Sequence, residues 1–161
     1  MSAAIQRLGA TISWRDPHTV APEELAGVIC SLELACRENP RSADLRTCLG
    51  MAYAMNFQAY KSMDALEAAV EIDPGHFWAQ MKLAELNYRL RALMKAERET
   101  LKALALARSP WELSIARKQL QEIRRLFREG TQKPAWTKPL LVPAAVLAAL
   151  FALGSWLAVW W

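Results

Sequence analysis

Residues 140–161 carry no charged side chain. An uncharged run of 22 residues is too long to hide in the core of so small a domain. As a helix it is roughly 33 Å long, about the hydrocarbon thickness of a bilayer. Trp136 stands just ahead of the run, and Trp160 and Trp161 close it. Indole rings favour the headgroup zone, where the ring body is shielded and the N–H stays wet. Pro143 falls in the first turn, where its missing N–H removes no intrahelical bond. These features predict one transmembrane helix at 140–161, a tail anchor for a helical domain, with membrane lipid as a partner. The alternative is an apolar helix buried against a partner protein.

Charge sets the expected orientation. Residues 1–110 hold 13 Lys/Arg and 13 Asp/Glu, whereas residues 111–139 hold seven basic and three acidic residues. The whole excess therefore precedes the apolar run, and by the positive-inside rule that side faces the cytoplasm. Arg124, Arg125, Arg128, Lys133 and Lys138, with Trp136, Trp160 and Trp161, are the predicted membrane-interface residues. No base-reading motif accompanies the basic stretch, so nucleic acid is not an expected partner. Residues 1–14 have one basic residue, Arg7, and no apolar core of signal-peptide length. The expectation is a single-pass membrane protein with a cytoplasmic N-terminal domain. Cys30, Cys36 and Cys48 are odd in number, and their spacings match no zinc or redox motif. All three are read as small core residues in a reducing compartment.

The rest of the chain is periodic. A repeat beginning at Ala43 places Leu49, Gly50 and Tyr53 on a first helix and Ser62, Leu66 and Ala69 on a second, with Pro74 closing it. These residues resemble the tetratricopeptide (TPR) repeat, 34 residues of helix–turn–helix with the pattern W-x2-L-G-x2-Y, then small-x3-aromatic, then Pro. Arg46 stands for the Trp and Leu66 for the later aromatic. Gly50 and Ser62 let the helices approach, Tyr53 and Leu66 fill the space between them, and Asp73-Pro74-Gly75 makes the turn. A second repeat, 77–110, keeps Leu83, Ala84, Ala96 and Ala103. Asn87 and Thr100 replace its aromatic positions, and its Pro arrives two residues late, at Pro110. Val28, Leu32, Ala35 and Pro40 fit the second helix of a preceding repeat.

Helix signals complete the outline. Pro22-Glu23-Glu24 starts a helix that reaches about residue 39. Ser109-Pro110-Trp111-Glu112 reads as a capping box opening a terminal capping helix, with Trp111, Ile115, Leu120, Ile123 and Leu126/Phe127 inward and Gly130 as its stop. The predicted fold is all-α: a short TPR-like solenoid of helical hairpins, six helices between residues 22 and 129, plus the transmembrane helix. The predicted layout is a weakly structured arm at 1–21, a helical domain at 22–130 (repeats 43–76 and 77–110, capping helix 110–129), a Pro-containing basic linker at 131–139 and the anchor at 140–161.

Function follows from what is missing and what the resemblance implies. No nucleophile–base arrangement, phosphate loop or metal cluster is visible, so neither enzyme, cofactor nor metal chemistry is expected. His18 and His76 read as surface histidines. In TPR domains the first helix of each repeat lines a concave groove. The matching positions here are Asp44, Thr47, Cys48, Met51, Ala54 and Met55, then Trp78, Met81, Lys82, Glu85, Tyr88 and Arg89. Chaperone-binding TPRs clamp a C-terminal carboxylate with Lys and Asn; Lys82 and Arg89 resemble that clamp, and the Asn residues are absent. Met51, Met55, Trp78 and Met81 suggest an adaptable apolar floor for a partner helix, unless the chain's own arm, residues 5–14, covers it. Two functions remain: an accessory or assembly subunit of a membrane protein complex, or a membrane-tethered adaptor recruiting a soluble partner. The outline is also similar to the mitochondrial and peroxisomal fission-adaptor family. Its Arg- and Ala-rich composition points to a bacterial inner membrane.

Overall fold

The computed structural model describes residues 20–131, and among them it holds six helices and no strand. They are α1 (Pro22–Glu38), α2 (Ala43–Met55), α3 (Ala59–Ile72), α4 (Phe77–Arg89), α5 (Leu93–Leu106) and α6 (Pro110–Thr131). By its internal contacts the chain divides into one unit ending at Phe127 and another beginning at Arg128. Of the second unit, the last turn of α6 is described. The arm, the linker and the anchor expected at 140–161 lie outside the described residues. Among those described, no helix is long and apolar enough to cross a membrane.

Local sequence explains where the helices begin. Pro22 opens α1, with Glu23 and Glu24 on the positive end of its dipole. Ser42 caps α2 by accepting from the Leu45 N–H at 3.3 Å. His76 caps α4: its Nδ1 accepts from the Ala79 N–H at 3.0 Å, and its Nε2 lies 2.7 Å from Asp44 Oδ1 in the first turn of α2. A tautomer with its proton on Nε2 satisfies both bonds, so this residue ties the starts of two helices together. At α6 the expected capping box is present. Ser109 Oγ accepts from the Glu112 N–H at 3.2 Å, and Glu112 Oε2 accepts from the Ser109 and Arg108 N–H groups at 3.1 and 2.7 Å. Gly130 does not stop this helix, which continues through Thr131.

Short connections make sequential helices antiparallel neighbours, and packing follows that order. α1 packs on α2, α2 on α3, α3 on α4 and α4 on α5, while α2 also meets α4 directly. The repeat is visible in the turns, bond for bond. Amide N–H groups of Asn56, Phe57 and Gln58 donate to the carbonyls of Ala52, Ala54 and Tyr53 at 3.0, 3.2 and 2.9 Å. Thirty-four residues on, Leu90, Arg91 and Ala92 donate to Leu86, Tyr88 and Asn87, each at 3.0 Å. Phe57 and Arg91 hold matching left-handed backbone angles, φ 57° and 60°.

The first repeat packs as its sequence predicts. Ser62 Oγ donates to the Gly50 carbonyl at 2.7 Å, and Leu66 is buried against the same glycine. Tyr53 closes the α1–α2 layer with Leu25, Leu32, Leu45 and Leu49, and its hydroxyl donates to Glu33 at 2.5 Å. The second repeat solves the same problem with polar groups. Asn87, in the Tyr slot, donates to the Leu83 carbonyl at 2.9 Å. Thr100, in the aromatic slot, is fully buried and donates to the Ala96 carbonyl at 2.6 Å. Small side chains at these slots leave room for α6, whose Ala116 joins Phe77, Met81 and Ala103 in one core cluster. Two core assignments change. Trp111 is 60 % exposed, resting on the Trp78 ring at 5.3 Å between centroids, and does not join the interior stripe. Cys30 is exposed, whereas Cys36 is buried and Cys48 partly so.

Candidate partner-binding cleft

Parallel placement of α4 and α6 creates a concavity. Trp78 and Trp111 meet near the starts of the two helices. Gln119 donates to Thr100 Oγ1 at 3.2 Å, and Arg124 to Glu97 at 2.9 Å, so α6 descends α5 as an antiparallel neighbour. Between α4 and α6 lies an open cleft of about 520 Å³, lined by Glu85, Tyr88 and Arg89 from one helix and Ile115, Lys118, Gln119 and Glu122 from the other. Tyr88 and Ile115 supply apolar contact surface, with charged tips around them.

Glu85 organises the α4 side. Its carboxylate accepts from Lys82 Nζ at 2.8 Å and from Arg89 Nη2 at 2.6 Å. Burial alone would push its carboxyl up, but the charges and hydrogen bonds of Lys82 and Arg89 hold it below the ordinary value. Both cations that resemble the carboxylate clamp are therefore already engaged by a carboxylate of the same helix. A partner's carboxylate would meet cations already shared with Glu85. The geometry suits a segment of mixed character, an apolar strip edged by charge of both signs.

The predicted groove residues divide into two sets. Glu85, Tyr88 and Arg89 line the cleft, and Lys82 is tied to it through Glu85. Thr47, Met51, Met55 and Met81 are buried. Thr47 donates to the Ala43 carbonyl at 2.8 Å; Met55 packs with Leu49 and Ala52, and Met81 with Phe77. In the whole chain, then, these methionines are covered. Trp78 is half-buried between Phe77 and Trp111. Whether the arm at 5–14 covers the α2 side falls outside the described residues. Of the expected membrane-interface residues, Arg124, Arg125 and Arg128 are exposed on α6, and Lys133, Trp136, Lys138, Trp160 and Trp161 lie outside the described residues.

Sequence reasoning missed a buried polar centre behind the cleft. Glu99 on α5 is 6 % exposed and accepts from Gln80 Nε2 at 2.7 Å, Arg98 Nε at 2.9 Å and Lys102 Nζ at 2.8 Å. Burial pushes its carboxyl up, but the hydrogen bonds from Lys102, Arg98 and Gln80 outweigh that and hold it below the ordinary value. Gln80 occupies the slot of the TPR tryptophan, as Arg46 does one repeat earlier. The only sequence signal was that substitution. Among the described residues no group of three or more His, Cys, Asp and Glu side chains is arranged to hold a metal ion.

No protein-family model and no curated protein matches the chain. Solved structures do. The TPR domain of Sgt2 from Aspergillus fumigatus is 18 % identical, with a TM-score of 0.67 over 83 % of this chain and 85 % of that one. The first TPR domain of Spaghetti (RPAP3), bound to an HSP90 peptide, is 15 % identical, with a TM-score of 0.64 over 79 % and 93 %. The type III secretion chaperone SycD of Yersinia enterocolitica, in complex with a peptide of the translocator YopD, is 16 % identical, with a TM-score of 0.63 over 76 % and 91 %. The described helices thus have the TPR fold.

Proposed function

We propose that this protein is a non-enzymatic protein–protein interaction module held at a membrane, an accessory or assembly subunit of a membrane protein complex. The single observation that carries the binding half is the open cleft between α4 and α6, on a fold whose solved examples include complexes with peptides. Supporting the membrane half are the charge-free run at 140–161 and the basic excess before it. On this reading the helical domain faces the cytoplasm of a bacterial inner membrane, with lipid around residues 140–161 and a protein segment in the cleft. Lys82 and Arg89 share the Glu85 carboxylate, which weakens the case for a ligand recognised by its terminal carboxylate alone. They favour an amphipathic segment that lays an apolar strip on Tyr88 and Ile115.

A cleft formed wholly within the helical domain also supports the second reading, an adaptor recruiting a soluble partner, of which a fission-adaptor-like role is one form. One experiment separates them. A photo-crosslinking side chain at Gln119 in the full chain, in its native membrane, is expected to capture a protein, and Lys118→Glu to abolish the capture. Loss of the same product when residues 140–161 are exchanged for an unrelated apolar span identifies a subunit; its persistence identifies an adaptor. A product insensitive to Lys118→Glu would remove the cleft from the account.

A further inference from the structure

The intra-repeat turns carry an expense that folding does not require. Phe57, between α2 and α3, combines a left-handed backbone with 85 % exposure. An L-residue with a β-carbon is disfavoured there by sterics, and Gly or Asn is the inexpensive choice. Tyr60, three residues on, is 90 % exposed; Met94, the equivalent of Tyr60 one repeat later, is 80 % exposed, and Leu90 is 49 % exposed. Interleaved with these tips are the exposed cations Lys61, Arg91 and Lys95.

These two turns share one edge of the helical layer. α2 and α4 pack as equivalent first helices of successive repeats, so their C-terminal ends point the same way. The third first-type helix, α6, runs parallel to α4 and brings Arg124 to Glu97 in the opening turns of α5. One turn beyond, at Phe127, the unit ends. The last residue of the first unit, Phe127, therefore lies toward the edge that carries Phe57, Tyr60 and Met94. The acidic residues on this edge are Asp64, Glu97 (paired with Arg124), Glu122 (paired with Arg125) and, in the first turn of the antiparallel α1, Glu23 and Glu24. The edge as a whole is therefore balanced, and the positive excess is local to the apolar tips, where Lys61, Arg91 and Lys95 stand against Asp64.

We propose that this edge is a docking surface for an anionic bilayer, with Phe57, Tyr60 and Met94 entering the headgroup–acyl boundary and Lys61, Arg91 and Lys95 meeting lipid phosphates. The inference rests on the membrane-tethering reading above and specifies how the domain lies on that membrane. Exposed aromatic and apolar tips ringed by basic residues are the composition that seats a helical surface on anionic lipid. Residues 128–139, between the unit's end and the apolar run, reach at most roughly 40 Å even fully extended. A tether that short holds the edge at a high effective concentration beside the bilayer, so weak contacts suffice. The docked edge fixes the domain's orientation and leaves the opposite turns, around Asp73-Pro74-Gly75, facing away from the lipid.

The test uses the full chain in vesicles containing nitroxide-labelled lipid. A fluorophore is placed through Tyr60→Cys, Met94→Cys, Asp73→Cys or Leu150→Cys, each in a Cys30→Ser background because Cys30 is exposed. In vesicles with anionic lipid the labels at 60, 94 and 150 are expected to be quenched, and the label at 73 to be spared. In purely zwitterionic vesicles, or after Lys61→Glu/Arg91→Glu/Lys95→Glu, the label at 150 stays quenched while those at 60 and 94 lose quenching. Each basic residue at the surface contributes roughly fivefold to partitioning. Labels at 60 and 94 that remain bright while 150 is quenched would overturn the docking edge and leave the membrane span standing. A bright label at 150 would overturn the tethering reading and this inference with it. Equal quenching at 73 and 60 would mean that no particular edge is seated, which also overturns the proposal.

Discussion

At Gly50 the space for a side chain is already taken. A β-carbon there would stand 2.6 Å from Leu66 Cγ, 2.9 Å from its Cδ2 and 3.3 Å from the Ser62 carbonyl oxygen. Leu66 is 1 % exposed and cannot swing away. Gly50→Ala gains roughly 1 kcal/mol of helix propensity, but overpacking typically costs about 1–3 kcal/mol. A net loss of about 1 kcal/mol is expected, seen as a lower urea midpoint at unchanged m value. Phe57 is the reverse case: Phe57→Asn relieves left-handed strain at an exposed site and is expected to raise stability by about 0.5–1 kcal/mol while weakening lipid docking. A midpoint that falls instead would mean that the ring makes contacts the folded domain needs. Gly50 was legible in the sequence because Leu-Gly-x2-Tyr fell in phase with Ser62 and Leu66. Phe57 was not, since no local pattern marks a left-handed residue that is neither Gly nor Asn. The cysteines were half legible: helical spacing predicts burial without saying which residue faces out. Burial, then the Asp44 carboxylate and Cys36, push the Cys48 thiol up to about 11. Burial also raises Cys36, against the opposing pull of Arg46. Alkylation near pH 8 is therefore expected to modify Cys30 first, as peptide mass mapping over time would reveal.

Among the helices, α5 depends most on charge. Glu99 is buried, yet its carboxyl is held below the ordinary 4.5 by Lys102, Arg98 and Gln80 against the upward push of burial. A carboxyl whose folded-state value is depressed adds stability above its unfolded value, and that stability is lost as pH falls through the lowered folded value. Stability should therefore decline below about pH 4.5, and Glu99→Gln should flatten that decline while lowering stability at pH 7. An acid limb unchanged by the substitution would assign the loss to other carboxylates. α6 was legible from its capping box, and Ser109→Ala is expected to cost about 1 kcal/mol, with faster amide exchange confined to its first two turns. Its far end was not legible. Gly130 has open space around it and tolerates the helical conformation, so composition alone misplaced the stop. The polar slots Asn87 and Thr100 weakened the second repeat in the sequence, and Gln80 is a third in the structure. In the fold they are satisfied by hydrogen bonds on α4, α5 and α6, partners that a repeat pattern does not encode.

On the scale of the whole molecule, the repeat period and the charge distribution carried most of the information. A 34-residue period specified stacked hairpins, and the identical turn hydrogen bonds at 56–58 and 90–92 are its structural counterpart. Of the groove residues expected from the solenoid register, Glu85, Tyr88 and Arg89 line the α4–α6 cleft. The methionines expected on the groove floor are buried: groove phase and core phase differ by a fraction of a turn, and a long flexible apolar side chain can satisfy either. The register did not assign Ile115, Lys118, Gln119 and Glu122 to a cleft, because the capping helix was read for its inward stripe and its basic residues. The account unites a TPR-fold interaction domain, a cleft, a docking edge and an apolar run into one membrane-tethered module, and its weight rests on residues 140–161. The most direct measurement is flotation of the full chain with vesicles followed by an alkaline carbonate wash, beside a Leu147→Arg/Leu150→Arg variant. The account predicts that the native chain stays with the vesicles through the wash and that the variant, still folded by circular dichroism, is released. A native chain washed off as readily as the variant would contradict it.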